Sequence, residues 1–354
     1  MAALEAGIQL HLPTYSKLSV RDLVSLGQTA HAGGVSQLWV TDNLQSRNAW
    51  VVLTALAGNV PVKLGTAVMV QYFRSPLDVA DAAAAISELL DGRELSIGIA
   101  RGNAYTPRLV HSPKPITFLR ETAQSLHHLL AGDTVSFDRY PTLASYFNLV
   151  PEARFKLAFT PQSPVRLYCG GNAPLSLAVG GEHMDGLIFG GTFQAVARTG
   201  RMPELLRTFD DAATAAGKTS APPRVAEIKI SLSKDRQRAR DFVKHSAGPR
   251  VMSLRKRGYT VDEIRGLGVP PEDIDRMEQA EAAGATRHEL EHLCTDAMID
   301  AIFIAGDAAY CRERVLQTAE LARSLGFHQL MFSELGPDVD EAMSVLCDDI
   351  LPLL

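Results

Sequence analysis

Cysteine is scarce in this sequence, and the segments that would direct a chain into or across a membrane are missing. The four cysteines form no CxxC pair and show no ligand-like spacing to histidine. The sequence therefore predicts neither a disulfide framework nor a zinc site. No run of 18 uncharged apolar residues occurs, so we expect no transmembrane helix. The N-terminal residues also lack the basic and apolar regions of a signal peptide.

Charge is also modest, at 21% of the 354 residues with a formal net charge of -5. This slightly acidic balance gives no electrostatic reason to expect binding to nucleic acid or to an anionic membrane surface. Hydrophobic residues make up 46% of the chain, which is far from the composition of disordered proteins. We therefore expect a cytoplasmic, globular protein.

Short apolar runs alternate with helical segments along most of the chain, a pattern typical of parallel strands joined by crossover helices. Eight runs are strand-like, and this number favours a closed (β/α)8 TIM barrel over an open sheet. Barrels of this length commonly form one unit, so we expect residues 1–354 to be a single domain. The predicted strands are Gly7–Leu12, Gln37–Thr41, Lys63–Val70, Leu95–Ala100, Val165–Cys169, Gly186–Phe189, Val225–Leu232 and Gln329–Phe332.

Helix boundaries are marked by capping residues and by glycine or proline. Ser19, with Asp22 three residues later, predicts a helix over Val20–Ala32. Pro76 predicts the start of a helix over Leu77–Leu90, and Asn172 that of a helix over Ala173–Gly180.

Two segments are longer than a single crossover requires. Residues 133–163 follow the fourth predicted strand, and residues 234–300 follow the seventh. Long insertions after barrel strands usually form lids or extra helices over the active-site face. A surface decoration or a dimer contact is the alternative for each of them.

Glycine-rich loops follow three of the predicted strands, at the barrel end where catalytic and binding groups lie. Gly170-Gly171-Asn172 leads from a strand into a predicted helix, which brings backbone N–H groups to a helix N-terminus and suits a phosphate. Glycine is also the common residue of a tight turn, so each loop alone has a purely structural explanation. The same positional rule selects Gln9, His11, Asp42, Asn43, Ala67–Tyr72, Arg101–Tyr105 and Gly190–Thr192.

Other catalytic motifs are missing. No GxSxG, Walker or HExxH motif occurs. We expect His288 and His292 to lie on a solvated helix face. Arg255-Lys256-Arg257 is expected at a solvated helix end, with anion binding as the alternative.

Several of these segments resemble the luciferase-like superfamily of oxidoreductases. More closely, they are similar to its branch of methylenetetrahydromethanopterin reductase and other enzymes that use the deazaflavin coenzyme F-420. The resemblance covers nearly the whole chain and is weakest over residues 133–163 and 234–290. The segments that carry it are Ser36–Asn43, Arg47–Ala49, Lys63–Val70, Phe73–Pro76, Glu88–Leu95, Ile97–Gly102, Gly170–Pro174, Glu182–Gly186, Ile304–Asp307 and Arg314-Val315.

The resemblance implies a cofactor across the C-terminal mouth of the barrel, coenzyme F-420 or alternatively FMN. It implies a non-prolyl cis peptide bond at Ala67–Val68 beside the cofactor ring, a small organic substrate and, from family habit, a homodimer. Phosphate would be held near Gly170–Asn172 and Gly190–Thr192. The implied cofactor-binding residues are Asp42, Asn43, Ala67, Val68, Arg101, Gly102, Asn103, Cys169, Gly170, Gly171, Asn172, Gly190, Gly191 and Thr192.

Three departures from the family pattern concern proton transfer. Asn43 stands where relatives often have His, Asn103 where they often have an acid, and Gln9 where the nearest branch often has Glu. Amides do not act as general acids or bases near neutral pH. The proton would therefore come from His11, Tyr105 or water, or the reaction needs little proton transfer from the protein. By position, Asn43 and Asn103 stay candidate catalytic residues together with His11 and Tyr105.

Three functions remain open at this point. The first is an F-420-dependent reductase or dehydrogenase, and the second is an FMN-dependent monooxygenase. The third is a non-catalytic cofactor-binding barrel, which the three amides favour.

Overall fold

The computed structural model describes residues 4–44, 46–102 and 106–354. Within them, eight parallel strands close into a barrel, because the first strand pairs with both the second and the last. Most barrel strands are buried along nearly their whole length, as expected for strands covered on both faces. The predicted (β/α)8 barrel is confirmed. Asn103 and Tyr105, two of the predicted catalytic residues, lie outside the described residues.

Three short strands accompany the eight strands of the barrel, which makes eleven strands in the described residues. The strands are β1 (Glu5–Leu10), β2 (Gln37–Asp42), β3 (Lys63–Val70), β4 (Leu95–Ala100), β5 (Val135–Ser136), β6 (Arg154–Phe155), β7 (Val165–Cys169), β8 (Gly186–Phe189), β9 (Arg224–Leu232), β10 (Ile304–Gly306) and β11 (Gln329–Ser333). The barrel order is β1-β2-β3-β4-β7-β8-β9-β11. β5 and β6 form an antiparallel hairpin, and β10 pairs with the last three residues of β9. The sequence analysis predicted none of these three short strands.

Helices connect the strands and fill both long insertions. They are α1 (Val20–Ala32), α2 (Ala49–Ala57), α3 (Pro76–Ser87), α4 (Thr106–Leu109), α5 (Pro115–Leu130), α6 (Pro141–Tyr146), α7 (Pro174–His183), α8 (Phe193–Arg198), α9 (Met202–Ala215), α10 (Arg236–Lys256), α11 (Val261–Arg265), α12 (Pro271–Ala282), α13 (Arg287–His292), α14 (Asp296–Ile302), α15 (Ala308–Ser324) and α16 (Val339–Val345). Residues 133–163 hold β5, α6 and β6, whereas residues 234–300 are mainly the helices from α10 to α14. Across the described residues, no helix has both the length and the apolar character needed to cross a bilayer.

Local hydrogen bonds explain two of the observed boundaries, one that agrees with the prediction and one that differs from it. The capping box at Ser19 and Asp22 forms, and α1 has the predicted bounds. The first strand ends earlier than predicted, because the carbonyl of His11 accepts from the N–H groups of Thr14 and Tyr15 in a turn that contains Pro13.

Two other helices, α3 and α7, differ from the prediction at both ends. α3 stops at Ser87 rather than Leu90, since the next residues form tighter i→i−3 bonds. α7 begins at Pro174 with Ala173 as its N-cap, so the predicted start after Asn172 was wrong by one residue.

The barrel interior is layered, because alternate residues of each strand point inward. The bottom is a polar layer in which Gln329 Nε2 donates to Gln37 Oε1 at 3.0 Å and Trp39 Nε1 donates to Gln329 Oε1 at 2.9 Å. The middle layer is apolar and consists of Trp39, Ala67, Val68, Tyr168, Ile188, Val225 and Met331. Above it, at the C-terminal ends of the strands, lie Gln9 and Glu227. This upper layer forms the floor of the candidate site.

Candidate active site

A bulge at the end of β3 forms one wall of the upper layer. The pairing of β3 with β4 shifts register between Thr66 and Met69, so Ala67 and Val68 leave the regular ladder. The peptide bond between Ala67 and Val68 is cis, as the family resemblance implied. The side chain of Gln9 donates from Nε2 to the carbonyl of Ala67, while its buried Oε1 has no hydrogen-bond partner. A buried acceptor without a partner thus lies beside the bulge in the upper layer.

Gly170 allows the bulge to contact the neighbouring strand. A Cβ built on Gly170 would lie 2.4 Å from Val68 Cγ1, which is far inside van der Waals contact. Its N–H donates to the carbonyl of Ile99 at 2.8 Å. Gly170 is therefore required for close packing, and its N–H is used by the sheet rather than by a phosphate.

A buried ionic cluster occupies the opposite wall of the mouth. Lys229 Nζ lies 2.6 Å from Glu227 Oε1 and 3.3 Å from Glu334 Oε1, and all three side chains are less than 10% exposed. Ser333 Oγ donates to Glu227 Oε1 at 3.0 Å. Glu334 has a φ of 76°, a left-handed backbone conformation that is rare outside glycine. Lys229 thus contacts two carboxylates, one within β9 and one directly after β11.

The charges of this cluster fix the protonation of both carboxylates. Burial alone would raise the pKa of Glu227, but Lys229 and Arg250 outweigh burial and lower this pKa below its usual value. The pKa of Glu334 is lowered more strongly, against the effect of burial, by Lys229, His11 and Arg250. Both carboxylates are therefore ionised and act as acceptors near neutral pH.

His11 is connected to this cluster through Thr14. Thr14 Oγ1 donates to Glu334 Oε2 at 3.0 Å, and His11 Nδ1 lies 3.0 Å from the same hydroxyl oxygen. Because a carboxylate only accepts, the hydroxyl proton points to Glu334 and the oxygen accepts from His11 Nδ1–H. The tautomer inferred from these contacts leaves Nε2 unprotonated. Burial lowers the pKa of His11 to about 4, so its imidazole is neutral near pH 7.

The glycine loop after β8 contacts the same cluster. The N–H of Gly191 donates to Glu227 Oε2 at 2.5 Å, and a Cβ on Gly190 would lie 2.7 Å from that oxygen. The N–H of Thr192 donates to the carbonyl of Gly190. The expectation of a free N–H group at Gly170 was therefore wrong, and the N–H groups of Gly191 and Thr192 are also bonded within the protein. Phosphate binding at these loops stays a prediction that depends on other groups.

Side chains from α7 and α10 converge on this loop. Asn172 Nδ2 lies 3.5 Å from both Gly190 O and Thr192 Oγ1, and Arg257 Nη2 donates to Thr192 Oγ1 at 3.3 Å. Arg250 Nη1 would lie 3.3 Å from a Cβ on Gly191. The C-terminal part of α10 therefore lies over the barrel mouth. The expected solvated position of Arg257 was wrong, because the helix end turns toward the barrel.

Two predicted cofactor-binding side chains point toward the helices rather than into the mouth. Both carboxylate oxygens of Asp42 accept from Arg74, at 2.7 and 2.9 Å, which ties the end of β2 to the segment before α3. Cys169 Sγ donates to the carbonyl of Ser176 in α7, and burial raises the pKa of this thiol to about 12. The cofactor-binding roles of Asp42 and Cys169 stay predictions.

The remaining predicted residues also lie at the ends of barrel strands. Asn43 is half-buried directly after β2, and Arg101 is exposed after β4. Gly102 has a φ of 90°, and a Cβ there would lie 2.0 Å from Thr106 Oγ1. Gly171 also has no space for a side chain, since its Cβ would lie 2.9 Å from Ser176 Cβ. Their cofactor-binding roles stay predictions.

The sequence analysis missed the ionic cluster, although a signal was present. Glu227 and Lys229 are two residues apart in an otherwise apolar strand, so both must face the same side. In a barrel strand covered by helices, two such charges indicate the interior. Glu334 directly follows the last predicted strand, at the end where sites lie.

Comparison with known proteins adds relatives for the whole chain. A family model described as luciferase-like monooxygenase matches residues 4–326. The 5,10-methylenetetrahydromethanopterin reductase of Archaeoglobus fulgidus is 26% identical over 92% of this chain and 93% of its own. The F-420-dependent glucose-6-phosphate dehydrogenase of Kribbella flavida is 24% identical, with 94% of each chain covered. The structure of the coenzyme F-420-dependent tetrahydromethanopterin reductase of Methanopyrus kandleri has the same fold, with a TM-score of 0.76, 20% identity and 99% of both chains covered.

Proposed function

Since the chain belongs to the luciferase-like monooxygenase family, we propose that it is a coenzyme F-420-dependent oxidoreductase acting on a small organic substrate. Relatives named as F-420-dependent enzymes, or as methylenetetrahydromethanopterin reductases, match more than nine-tenths of the chain. Their named substrates differ from one another, so the substrate of this chain does not follow from them. Fold likeness alone would not support this choice, because one barrel hosts many reactions.

The observation that carries the proposal is the unsatisfied Oε1 of Gln9 beside the bulge. A buried acceptor without a partner costs free energy, about 1–3 kcal/mol, unless a ligand supplies the donor. The ring systems of deazaflavins and of FMN both carry such an N–H donor at their edge, so this acceptor supports a ring of this type and the relatives supply the choice of F-420. Gly170 adds no side chain beside the bulge, where a Cβ would lie 2.4 Å from Val68 Cγ1. The residues present therefore fit the ring of this cofactor.

The bound deazaflavin would supply the hydride chemistry, because its ring accepts or donates a hydride, which is one proton together with two electrons. The protein would hold the ring by Gln9 and by the backbone at Ala67–Val68. The polar and apolar layers below the mouth would keep water away from its lower face. Glu227 and Lys229 would set a fixed electrostatic environment at the opposite wall.

His11 is the residue that we assign to proton transfer. Its Nδ1–H is held by Thr14 and Glu334, so the unprotonated Nε2 would accept the proton of a substrate hydroxyl as hydride leaves the neighbouring carbon. In the reverse direction the imidazolium would return that proton. Glu334 Oε2, 4.0 Å from His11 Nδ1, would stabilise the imidazolium. Gln9 and Asn43 would orient ligands but transfer no proton.

Titration with coenzyme F-420 and FMN tests this proposal, followed by the fluorescence of each cofactor. We expect micromolar or tighter binding of F-420 and weaker binding of FMN. The variant Gln9→Met should weaken F-420 binding, whereas the surface variant Gln28→Met should bind like the wild type. Binding of FMN alone would instead favour the monooxygenase function for which the family is named.

Turnover distinguishes an enzyme from a binding protein. Loss of deazaflavin fluorescence on addition of a panel of secondary alcohols would demonstrate hydride transfer to the cofactor. His11→Gln should lower the turnover rate more than the affinity for the cofactor. Tight binding with no turnover of any alcohol, aldehyde or imine would support the non-catalytic function.

A further inference from the structure

Two histidines lie side by side on the exposed face of α13. His288 and His292 are four residues apart, so one turn of the helix places them on the same face. The side chain of His288 is 77% exposed, and His292 is exposed as well. Leu290 lies on the opposite face and packs against the hydrophobic core. The solvated position that the sequence predicted for both histidines is confirmed.

Local contacts hold α13 in place, although the helix is short. Thr286 and Glu289 form a capping box at its start, in which the N–H of Thr286 donates to Glu289 Oε2 at 2.7 Å and the N–H of Glu289 donates to Thr286 Oγ1 at 3.3 Å. On the inner side, Leu290 and Leu293 pack against the core, and the helix contacts α10. The two imidazole rings are therefore carried by an ordered turn of helix.

The ring nitrogens of this pair are close together. His288 Nε2 lies 3.1 Å from His292 Nε2, and the ring centroids are 4.5 Å apart. Two nitrogens that each lie about 2.0–2.1 Å from one metal ion are about 2.9 Å apart at a right angle and about 3.3 Å apart in a tetrahedron. The observed separation lies between these two values. The rings are therefore arranged as two ligands of one ion would be.

Glu291 indicates which nitrogen of His288 carries the proton. The contact between the rings is an N–H···N hydrogen bond in the free protein, because two unprotonated nitrogens would repel each other at this distance. Glu291 Oε2 lies 3.8 Å from His288 Nδ1, which favours the proton on Nδ1 and leaves Nε2 as the acceptor. A carboxylate beside the second ring nitrogen is also the usual neighbour of a metal-ligating histidine. His292 would present its own Nε2 once its proton moves to Nδ1.

We propose that His288 and His292 bind one divalent transition-metal ion, such as Ni²⁺ or Zn²⁺, through their Nε2 atoms. Imidazole suits these ions, whereas Mg²⁺ prefers oxygen ligands. Within the described ranges, no group of three or more histidine, cysteine, aspartate or glutamate side chains could hold a metal ion, so water completes the coordination. The site is thus open, unlike the closed four-ligand zinc sites that the cysteine pattern excludes.

The site is independent of the proposed function, because it uses no residue of the barrel mouth. An ion held by residues four apart links two successive turns of α13. It binds the helical conformation of this segment only, since an unfolded segment does not hold the two nitrogens together.

The test uses His288→Ala and His292→Ala, with His31→Ala as the matched control. His31 is an exposed histidine in the last turn of α1, and the residues four positions away on either side are Gly27 and Val35. The full-length chain without an affinity tag is titrated calorimetrically with NiCl₂, ZnCl₂ and MgCl₂. Circular dichroism verifies that each variant is folded, which we expect because alanine favours a helix.

We expect wild type and His31→Ala to bind one Ni²⁺ or Zn²⁺ ion per chain, and no variant to bind Mg²⁺. Both His288→Ala and His292→Ala should bind Ni²⁺ and Zn²⁺ at least about tenfold more weakly, because each has lost one of two protein ligands. Absence of Ni²⁺ and Zn²⁺ binding in the wild type overturns the proposal, and so does undiminished binding in either α13 variant. An equal loss in His31→Ala, or Mg²⁺ binding of similar strength, overturns it as well, because the binding would then not depend on the pair.

Discussion

Replacing Lys229 by Met should destabilise the protein in a way that depends on pH. The substitution removes the cation that contacts both Glu227 and Glu334, and it leaves two carboxylates inside the barrel. Removing one partner of a buried ion pair typically costs about 3–5 kcal/mol. Glu227 loses more electrostatic stabilisation than Glu334 does, because Arg250 lies 3.9 Å from Glu334 Oε1 and partly replaces the lost charge there.

The pH dependence follows from the pKa of Glu227. In the wild type this pKa is lowered, so the carboxylate is ionised in both the folded and unfolded states between pH 5 and 7.5. Without Lys229, burial dominates and raises the folded-state pKa above the unfolded one. The folded variant then binds more protons than the unfolded chain, so its stability falls as pH rises, by up to about 1.4 kcal/mol per pH unit.

Urea denaturation followed by tryptophan fluorescence at pH 5 and 7.5 measures both effects. We expect a larger loss of unfolding free energy at pH 7.5 than at pH 5. Adding Glu227→Gln to the variant should recover part of this loss and abolish its pH dependence. Lys244→Met, which breaks an exposed pair with Asp241, should cost about 0–1 kcal/mol. An equal, small loss in both lysine variants, or a loss independent of pH, would refute the assigned role of Lys229.

Three further substitutions or titrations test other parts of the site. Gly170→Ala should lower the free energy of unfolding by about 1–3 kcal/mol and weaken cofactor binding, because its Cβ would overlap Val68. Gly58→Ala should do neither, because a Cβ at Gly58 has nothing within 4 Å. Equal melting temperatures of the two variants would contradict this prediction. The imidazole of His11, identified in NMR spectra by comparison with His11→Gln, should titrate near pH 4. Its contribution to stability should be complete above about pH 6.5 and disappear as pH falls to about 4, because the unfolded chain binds the proton first; titration near pH 6.5 would refute its burial. Asp42→Asn should lower the free energy of unfolding by about 1.5–3 kcal/mol, because it weakens the bidentate pair with Arg74. Asp262→Asn, in an exposed pair, should lower it by only about 0–1 kcal/mol. Similar values for both variants in urea denaturation would count against this prediction.

The barrel was predictable because its signal is local. Several strand runs, such as Gly186–Phe189, are apolar on almost every residue, since helices cover one face and the barrel interior the other. The three loops that contain Gly102, Gly170 and Gly191 could also be recognised in the sequence, because close approach of the backbone requires glycine at these positions.

The site was less predictable because its contacts join distant segments. Lys229 and Glu334 are 105 residues apart in the sequence, and no local pattern brings Arg257 to Thr192. The direction of Asp42 was also invisible, because it depends on Arg74 in a different connection. Such pairings follow from closure of the barrel and from the path of α10, which composition and periodicity do not specify.

The layered interior has a consequence for the order of events during turnover. The hydrogen-bonded layer of Gln37 and Gln329 and the apolar layer above it close the barrel from below, so ligands enter and leave by the mouth alone. A molecule seated against Val68 is therefore deeper than one seated near α10. We therefore expect a cofactor ring seated at this depth to bind before the substrate and to leave after it.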